Sequence, residues 1–316
     1  MLEAIARKVV DEDRVQAKHQ RNNGRNARQH AEHIAQAMSL DAAEPFAYFV
    51  EEQKGAVLCG RPLDVSKHVS AILDKAECAI ITSATLAAAG DFSLVAGDLG
   101  IGEHNTVVVE SPFDMKRQMA VVVPKMPEPA RFEYRAAADS AIADAVRGAG
   151  GRTLVLCTST AGVKSAADAL AGCGFKVLRQ GDMPTAMLVE EFRYDVKSVL
   201  VGTMSLWRGV DVSGEALSCV VIDKLPFDAW ADPIVEALRE HDGDEGWSRY
   251  LARAVMQFRQ GIGRLIRSET DKGVVVVLDG RLHTKGYAAK FLKCFAPGTS
   301  FSMGVDHVGA FLGGAS

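Results

Sequence analysis

The sequence predicts an α/β protein: an open sheet of mostly parallel strands flanked by helices, preceded by a helical amino-terminal segment. Three observations predict it. Short apolar runs rich in β-branched residues recur from residue 56 onward, as suits strands buried on both faces. Helical patterns lie between many of these runs across residues 110 to 295, as in strand–helix–strand units. The composition, 316 residues with 48% apolar and 24% charged, belongs to an ordinary globular protein of one to two domains.

Taken in order, residues 1 to about 45 are polar, contain alanine and carry no strand-like run before Pro45, which reads as helix. Within them Arg14, Lys18, Arg21, Arg25 and Arg28 are spaced 4, 3, 4 and 3, with no Asp or Glu between the first and last. On one helix these five make a basic stripe, drifting only about 40° from alignment. Such a stripe suits a phosphate backbone. Against it, Asn22-Asn23-Gly24 is a turn signal, and the other reading is a helical hairpin with solvated charges.

The strand-like runs that follow are Ala56–Cys59, Cys78–Thr82, Thr106–Val109, Met119–Val123, Thr153–Cys157 and Val274–Leu278. Between Trp247 and Phe258 the helical period is clear, and Trp247, Tyr250, Leu251, Ala254, Val255 and Phe258 mark one face expected to point inward. The glycine-containing end, Gly309 to Ser316, reads as a frayed tail. In an open sheet of this kind ligands lie beyond the carboxyl ends of the strands, so the loops after the strands are where function is sought.

Charge and cysteine content narrow the classes. With 36 Lys+Arg against 40 Asp+Glu the net charge is -4, which excludes nucleic-acid binding by bulk positive charge and leaves local patches. No apolar run approaches the roughly 18 residues of a membrane span, and Met1 is followed by no signal-peptide core. A cytoplasmic protein with no membrane partner is expected. Cys59, Cys78, Cys157, Cys173, Cys219 and Cys294 are scattered without CxxC spacing, so they read as reduced, with no metal site or iron–sulfur cluster.

Four segments after strands carry the chemistry. Ser83-Ala84-Thr85 offers small hydroxyl residues where a donor can meet a phosphate. Thr158-Ser159 offers the same, although as a helix N-cap it needs no ligand. In Trp207-Arg208-Gly209-Val210-Asp211-Val212-Ser213-Gly214 two glycines bracket an acidic residue, which permits close backbone approach to a ligand or simply a tight turn. In Gln260-Gly261-Ile262-Gly263-Arg264-Leu265-Ile266-Arg267 two arginines three apart, read as one helical turn, would project to neighbouring positions. Guanidiniums there suit the oxygens of a transferring phosphoryl group; the other reading is a pair of surface arginines at a helix end.

The order of these segments resembles motifs III, IV, V and VI of a superfamily 2 helicase and, more narrowly, the DinG/XPD family. Further family-like strings are Arg61-Pro62-Leu63-Asp64-Val65-Ser66, Ser111-Pro112-Phe113, Lys224-Leu225-Pro226-Phe227 and Asp279-Gly280-Arg281, so the resemblance spans about residues 45 to 295. It implies RecA-like motor domains that clamp ATP and Mg2+ between them and move 5′ to 3′ along single-stranded DNA. By matching position Arg264 and Arg267 would be arginine fingers, presented by a turn shaped by Gln260 and Gly263. Gly209 and Asp211 would lie at the nucleotide and DNA boundary, with Trp207 under a base or in the core. Ser83, Ala84 and Thr85 would couple ATP state to DNA grip, and Thr158 and Ser159 would touch the DNA backbone.

Two family elements have no counterpart. There is no Walker A loop, GxxxxGK[ST], and Val9-Val10-Asp11-Glu12-Asp13-Arg14 lacks the Ala-His of motif II and reads as a helical charge cluster. The resemblance therefore implies a carboxy-terminal half: residues 1–45 as the helical tail of an arch-like insertion, 46–110 as the closing part of a first motor domain, and 111–316 as the second. A separate amino-terminal half would supply Walker A and motif II, and joint ATP and Mg2+ binding would need it. The alternatives are a non-catalytic nucleic-acid-binding module and, further off, an RNA-directed relative.

Overall fold

The computed structural model describes residues 45–52, 56–83, 85–87, 90–109, 111–203, 206 and 214–313. The strands are β1 (Phe46–Glu52), β2 (Ala56–Pro62), β3 (Met119–Val122), β4 (Thr153–Leu156), β5 (Val177–Arg179), β6 (Val199–Gly202), β7 (Cys219–Ile222), β8 (Gly273–Val277) and β9 (Ser300–Ser302). The helices are α1 (Ser66–Leu73), α2 (Ser93–Leu99), α3 (Met115–Gln118), α4 (Tyr134–Ala149), α5 (Thr160–Ala169), α6 (Thr185–Tyr194), α7 (Pro233–Asp242), α8 (Gly246–Ile262), α9 (Arg281–Thr284), α10 (Ala288–Leu292) and α11 (His307–Leu312).

The chain divides into two compact units. One comprises residues up to Ile80, Val95–His104 and Asp228–Tyr250; the other comprises Ile81–Leu94, Asn105–Phe227 and Leu251–Ser316. In the first, β1 and β2 pair antiparallel from Phe46 opposite Pro62 to Glu52 opposite Ala56. Asp232 starts α7 there: its carboxylate accepts the Ile234 N–H at 2.8 Å, and Pro233 occupies the first helical position.

The second unit holds a seven-stranded sheet in the order β5-β6-β4-β7-β8-β3-β9, with every pairing parallel. Alternate residues of each strand face opposite layers. Met119 and Val121 pack with α6, α8 and α10 through Leu188, Phe192, Val255, Phe258 and Phe291. Ala120 and Val122 pack with α4, α5 and α11 through Ile142, Val146, Val163 and Val308. Covering both faces buries the valines of β3, β4, β6, β7 and β8 completely, contributing about 1.5–3 kcal/mol apiece, which is why these strands read as unbroken apolar runs. The chain leaves β4 for β5 and β6 on one side and returns to β7 on the other, so the carboxyl ends of β4 and β7 form the switch point where such sheets bind ligands.

Several expectations are corrected. Cys78–Thr82 and Thr106–Val109 form no strand; Ile80 is 88% exposed and Val109 86% exposed. A β-branched run signals a strand only where a neighbour can pair with it, and no described strand borders either run. The run at Ala56–Cys59 is a strand, but in an antiparallel hairpin. On α8, Leu251, Ala254, Val255 and Phe258 are buried as expected, whereas Tyr250 is half-buried and Trp247 is 45% exposed; residues up to Tyr250 belong to the hairpin-containing unit. The end of the chain is not a frayed tail up to Leu312: α11 docks on α4, with Val308 buried and Gly148 against the Gly309 backbone.

Candidate functional site

At the switch point β4 ends at Leu156 and hands over through Cys157 to Thr158 and Ser159, and β7 ends at Ile222, directly before Asp223. Asp223 is wholly buried and accepts the Thr158 N–H at 3.2 Å and an Arg135 guanidinium N–H at 3.3 Å. Arg135 also binds Asp139, whose second oxygen accepts the Ser165 hydroxyl at 2.6 Å. The Tyr134 hydroxyl donates to the Asp223 carbonyl. Burial pushes the Asp223 carboxyl above its ordinary range, and Lys224 and Arg135 oppose that. Burial likewise raises the neighbouring Cys157 thiol and Tyr134 hydroxyl, with the Asp223 charge adding to both. Sequence reasoning missed this network; its one signal is a charged residue placed directly after the apolar run Cys219–Ile222.

Ser159 is the N-cap of α5, its Oγ accepting the Gly162 N–H at 3.1 Å. The hydroxyl keeps a donor hydrogen, and the helix N-terminus beside it favours an anion. Gly162 fits because a Cβ there would meet Asp223 at 3.1 Å and Ser159 at 3.3 Å. Capping and phosphate contact are therefore compatible at this turn.

The two candidate finger arginines are not on a helical turn. Helix α8 ends at Ile262, and Gly263 and Arg264 form the turn that leaves it. Leu265 and Ile266, 3% and 6% exposed, anchor that segment in the core, so Arg264 and Arg267 flank an apolar plug and are half-buried. Asp271 closes the loop by accepting the N–H groups of Arg267 at 2.8 Å and Ser268 at 2.9 Å. Gln118 latches it from α3, its amide donating to the carbonyls of Ser268 at 2.7 Å and Asp271 at 2.9 Å. Neither Gln118 nor Asp271 was singled out from the sequence, since they act on the loop from 150 residues away and from within it.

One helical turn before the arginines, Gln260 donates to the Thr85 hydroxyl at 3.4 Å, and Arg259 donates to the Ala87 carbonyl at 3.3 Å. The Ser83 and Thr85 hydroxyls are 3.3 Å apart. The structure thus brings Thr85, with Ser83 bonded to it, onto the helix that leads into Gly263, Arg264 and Arg267. Two further family-like strings are joined by Asp279, fully buried, which accepts the Leu225 N–H at 2.8 Å and the Arg281 guanidinium at 2.7 Å. Arg281 in turn lies over the Phe227 ring at 5.1 Å.

Ala84, Trp207, Gly209 and Asp211 lie outside the described residues, as do Arg14, Lys18, Arg21, Arg25 and Arg28. Among the described residues no three His, Cys, Asp or Glu side chains cluster as a metal site, and no helix is long and apolar enough to cross a membrane. Cys157 and Cys219 are buried single thiols, and Cys78 is exposed.

The profile of the helicase C-terminal domain matches residues 142–298. The chain is 36% identical over 258 residues to the ATP-dependent DNA helicase YoaA of Haemophilus influenzae, covering 79% of this chain and 40% of that protein. It is 36% identical over 256 residues to the ATP-dependent helicase DinG of Mycobacterium tuberculosis, covering 78% of this chain and 38% of that protein. It therefore spans about two fifths of the length of these relatives. An XPD helicase structure, 16% identical, superposes with a TM-score of 0.61 over 85% of this chain and 49% of its own, which establishes the shared RecA-like fold. On the matched domain, the identities and the fold together, the chain belongs to the DinG/XPD helicase family and contains that family's carboxy-terminal helicase domain.

Proposed function

We propose that this chain is the carboxy-terminal half of an ATP-dependent DNA helicase, the part that supplies arginine fingers and grips single-stranded DNA during 5′ to 3′ translocation. In this reading residues 1–45 are the tail of an arch-like insertion, 46–110 complete a first motor domain, and 111–316 are the second. The observation that carries it is the Gln260–Thr85 hydrogen bond of 3.4 Å. It ties the Ser83–Thr85 segment to the helix that presents Arg264 and Arg267, the link a motor needs between nucleotide state and grip.

The residues fit a nucleotide phosphate in kind. Two permanently charged guanidiniums leave one loop, held by Gln118 and Asp271 so that little reorganisation is needed when charge develops. Bound ATP with its magnesium ion supplies the phosphoanhydride whose hydrolysis drives movement. Arg264 and Arg267 donate to its terminal phosphate oxygens, and Gln260 passes the change to Thr85. Thr158 and Ser159 hold a DNA phosphate at the head of α5. The phosphate cradle, the magnesium ligands and the water-positioning carboxylate fall to a separate amino-terminal half carrying Walker A and motif II.

Strand displacement tests the reading. The chain combined with such an amino-terminal half should unwind a duplex bearing a 5′ single-stranded tail and leave one bearing only a 3′ tail intact. Unwinding of the 3′-tailed substrate, or of neither by a combination that hydrolyses ATP, would overturn it.

A further inference from the structure

The hairpin-containing unit holds a cavity of about 360 Å³ that the motor motifs do not use, lined by Trp230, Trp247, Tyr250, Glu236, Arg239 and Glu240. Its walls are fixed. Tyr250 stands at the centre, with its ring 5.4 Å from Trp230 at 82° and 5.8 Å from Trp247, and its hydroxyl donates to the Asp228 carbonyl at 2.6 Å. Trp230 and Trp247 remain 52% and 45% exposed, unusual for side chains of such apolar area. The guanidinium carbon of Arg239 lies 3.7 Å from the Trp230 ring centre, so one wall already engages a cation through its π face.

Charge decides which ligand fits. Between Asp228 and Tyr250 the chain carries seven carboxylates and two arginines. Arg249 is engaged by Asp98 and Asp242 at 2.5 and 3.1 Å, and Arg239 lies on Trp230. A nucleobase stacked on tryptophan gains about 1–3 kcal/mol. Each carboxylate held about 6 Å from its phosphates would cost about 0.7 kcal/mol even in bulk water, so a few such pairs cancel the stack. For a cation the same carboxylates add to the attraction of the rings.

We propose that this pocket receives a cationic side chain, lysine or arginine, presented by a basic segment of a protein partner. The aromatic rings hold the charged head, and Glu236 and Glu240, exposed one turn apart on α7, meet its N–H groups and neighbouring basic residues. The site is independent of the motor reading, since none of its residues belongs to the motifs.

The probe is a fluorescein-labelled peptide of alternating glycine and arginine, titrated into the full chain by anisotropy and by tryptophan fluorescence, since Trp230 and Trp247 are two of the three tryptophans. Saturable binding should weaken at least fivefold in Trp230→Ala or Trp247→Ala. Trp230→Phe should lose less, and the pair Glu236→Gln with Glu240→Gln should lose at least threefold. The glutamine pair lies on an exposed helix face and leaves circular dichroism unchanged, so its result stands even if a tryptophan variant unfolds. Affinity within twofold of the parent in the glutamine pair would overturn the proposal. So would an oligothymidylate that displaces the peptide and quenches fluorescence in a Trp247-dependent way, which would make this a nucleobase site.

Discussion

Asp223 concentrates the physics of the crevice in one side chain. It sits at the end of a strand buried on both faces, it is fully enclosed, and it bonds both the turn that bears Ser159 and the guanidinium of Arg135. Removing one partner of a buried pair is costly because the other charge remains. Here Arg135 keeps Asp139, which places the loss at the lower end. Asp223→Ala should destabilise the chain by about 2 kcal/mol in urea unfolding, with a smaller loss for Asp223→Asn, whose carbonyl can still accept the Thr158 N–H. A change below about 0.5 kcal/mol in the alanine variant would mean that the network contributes little. Gln118 and Asp271 likewise hold the loop that carries Arg264 and Arg267.

At the scale of elements the turn from α4 into β4 is a tightly constrained join. Helix α4 ends at Ala149 and is capped by Gly150, whose N–H and that of Gly151 return to the carbonyls of Arg147 and Val146 at 3.1 and 3.0 Å. Gly150, Gly151 and Arg152 then take φ values of +65°, +81° and +42°. A Cβ on Gly151 would lie 1.9 Å from the Lys197 carbonyl oxygen, whereas one on Gly172, at φ +78°, would meet nothing within 4 Å. Gly172→Ala should cost only the left-handed strain, about 1 kcal/mol. Gly151→Ala should cost that plus a backbone shift, about 2 kcal/mol or more by thermal unfolding. Equal losses would contradict the close approach. The strands reached through such joins were legible where both faces are buried, as in β3, β4 and β8, because a doubly covered strand must be apolar throughout. The same signal misled at Cys78–Thr82 and Thr106–Val109, where apolar composition is present without a paired neighbour. β1 went unread although Phe46–Val50 is apolar at every position, because the run abuts the polar segment read as helix and ends in two glutamates. In the candidate site the residue types and their order were legible, since phosphate chemistry demands hydroxyls, glycines and arginines. The contacts were not: Gln260 reaches Thr85 across 175 residues and Gln118 reaches Ser268 across 150, separations that no local pattern encodes.

At the scale of the whole molecule, the sheet-containing unit closes its own core on both faces, yet the run at Val107, Val108 and Val109 stays 80%, 66% and 86% exposed. Consecutive exposed valines of high β-propensity are an invitation to pairing. The chain by itself should therefore associate as its concentration rises in light scattering, and an amino-terminal helicase half should suppress that association. A monodisperse monomer at high concentration, unfolding in one cooperative transition, would contradict the proposed division at residue 110. In the proposed function Arg264 and Arg267 complete an ATP site whose phosphate cradle lies on another polypeptide segment, and DNA-stimulated ATP hydrolysis measures this most directly. The chain alone should show no DNA-stimulated turnover, and addition of a Walker A and motif II half should produce it, with Arg264→Ala or Arg267→Ala in that combination slowing it by about 10³-fold or more. DNA-stimulated hydrolysis by the chain alone, abolished by Arg264→Ala, or full activity of the combination without either arginine, would contradict it.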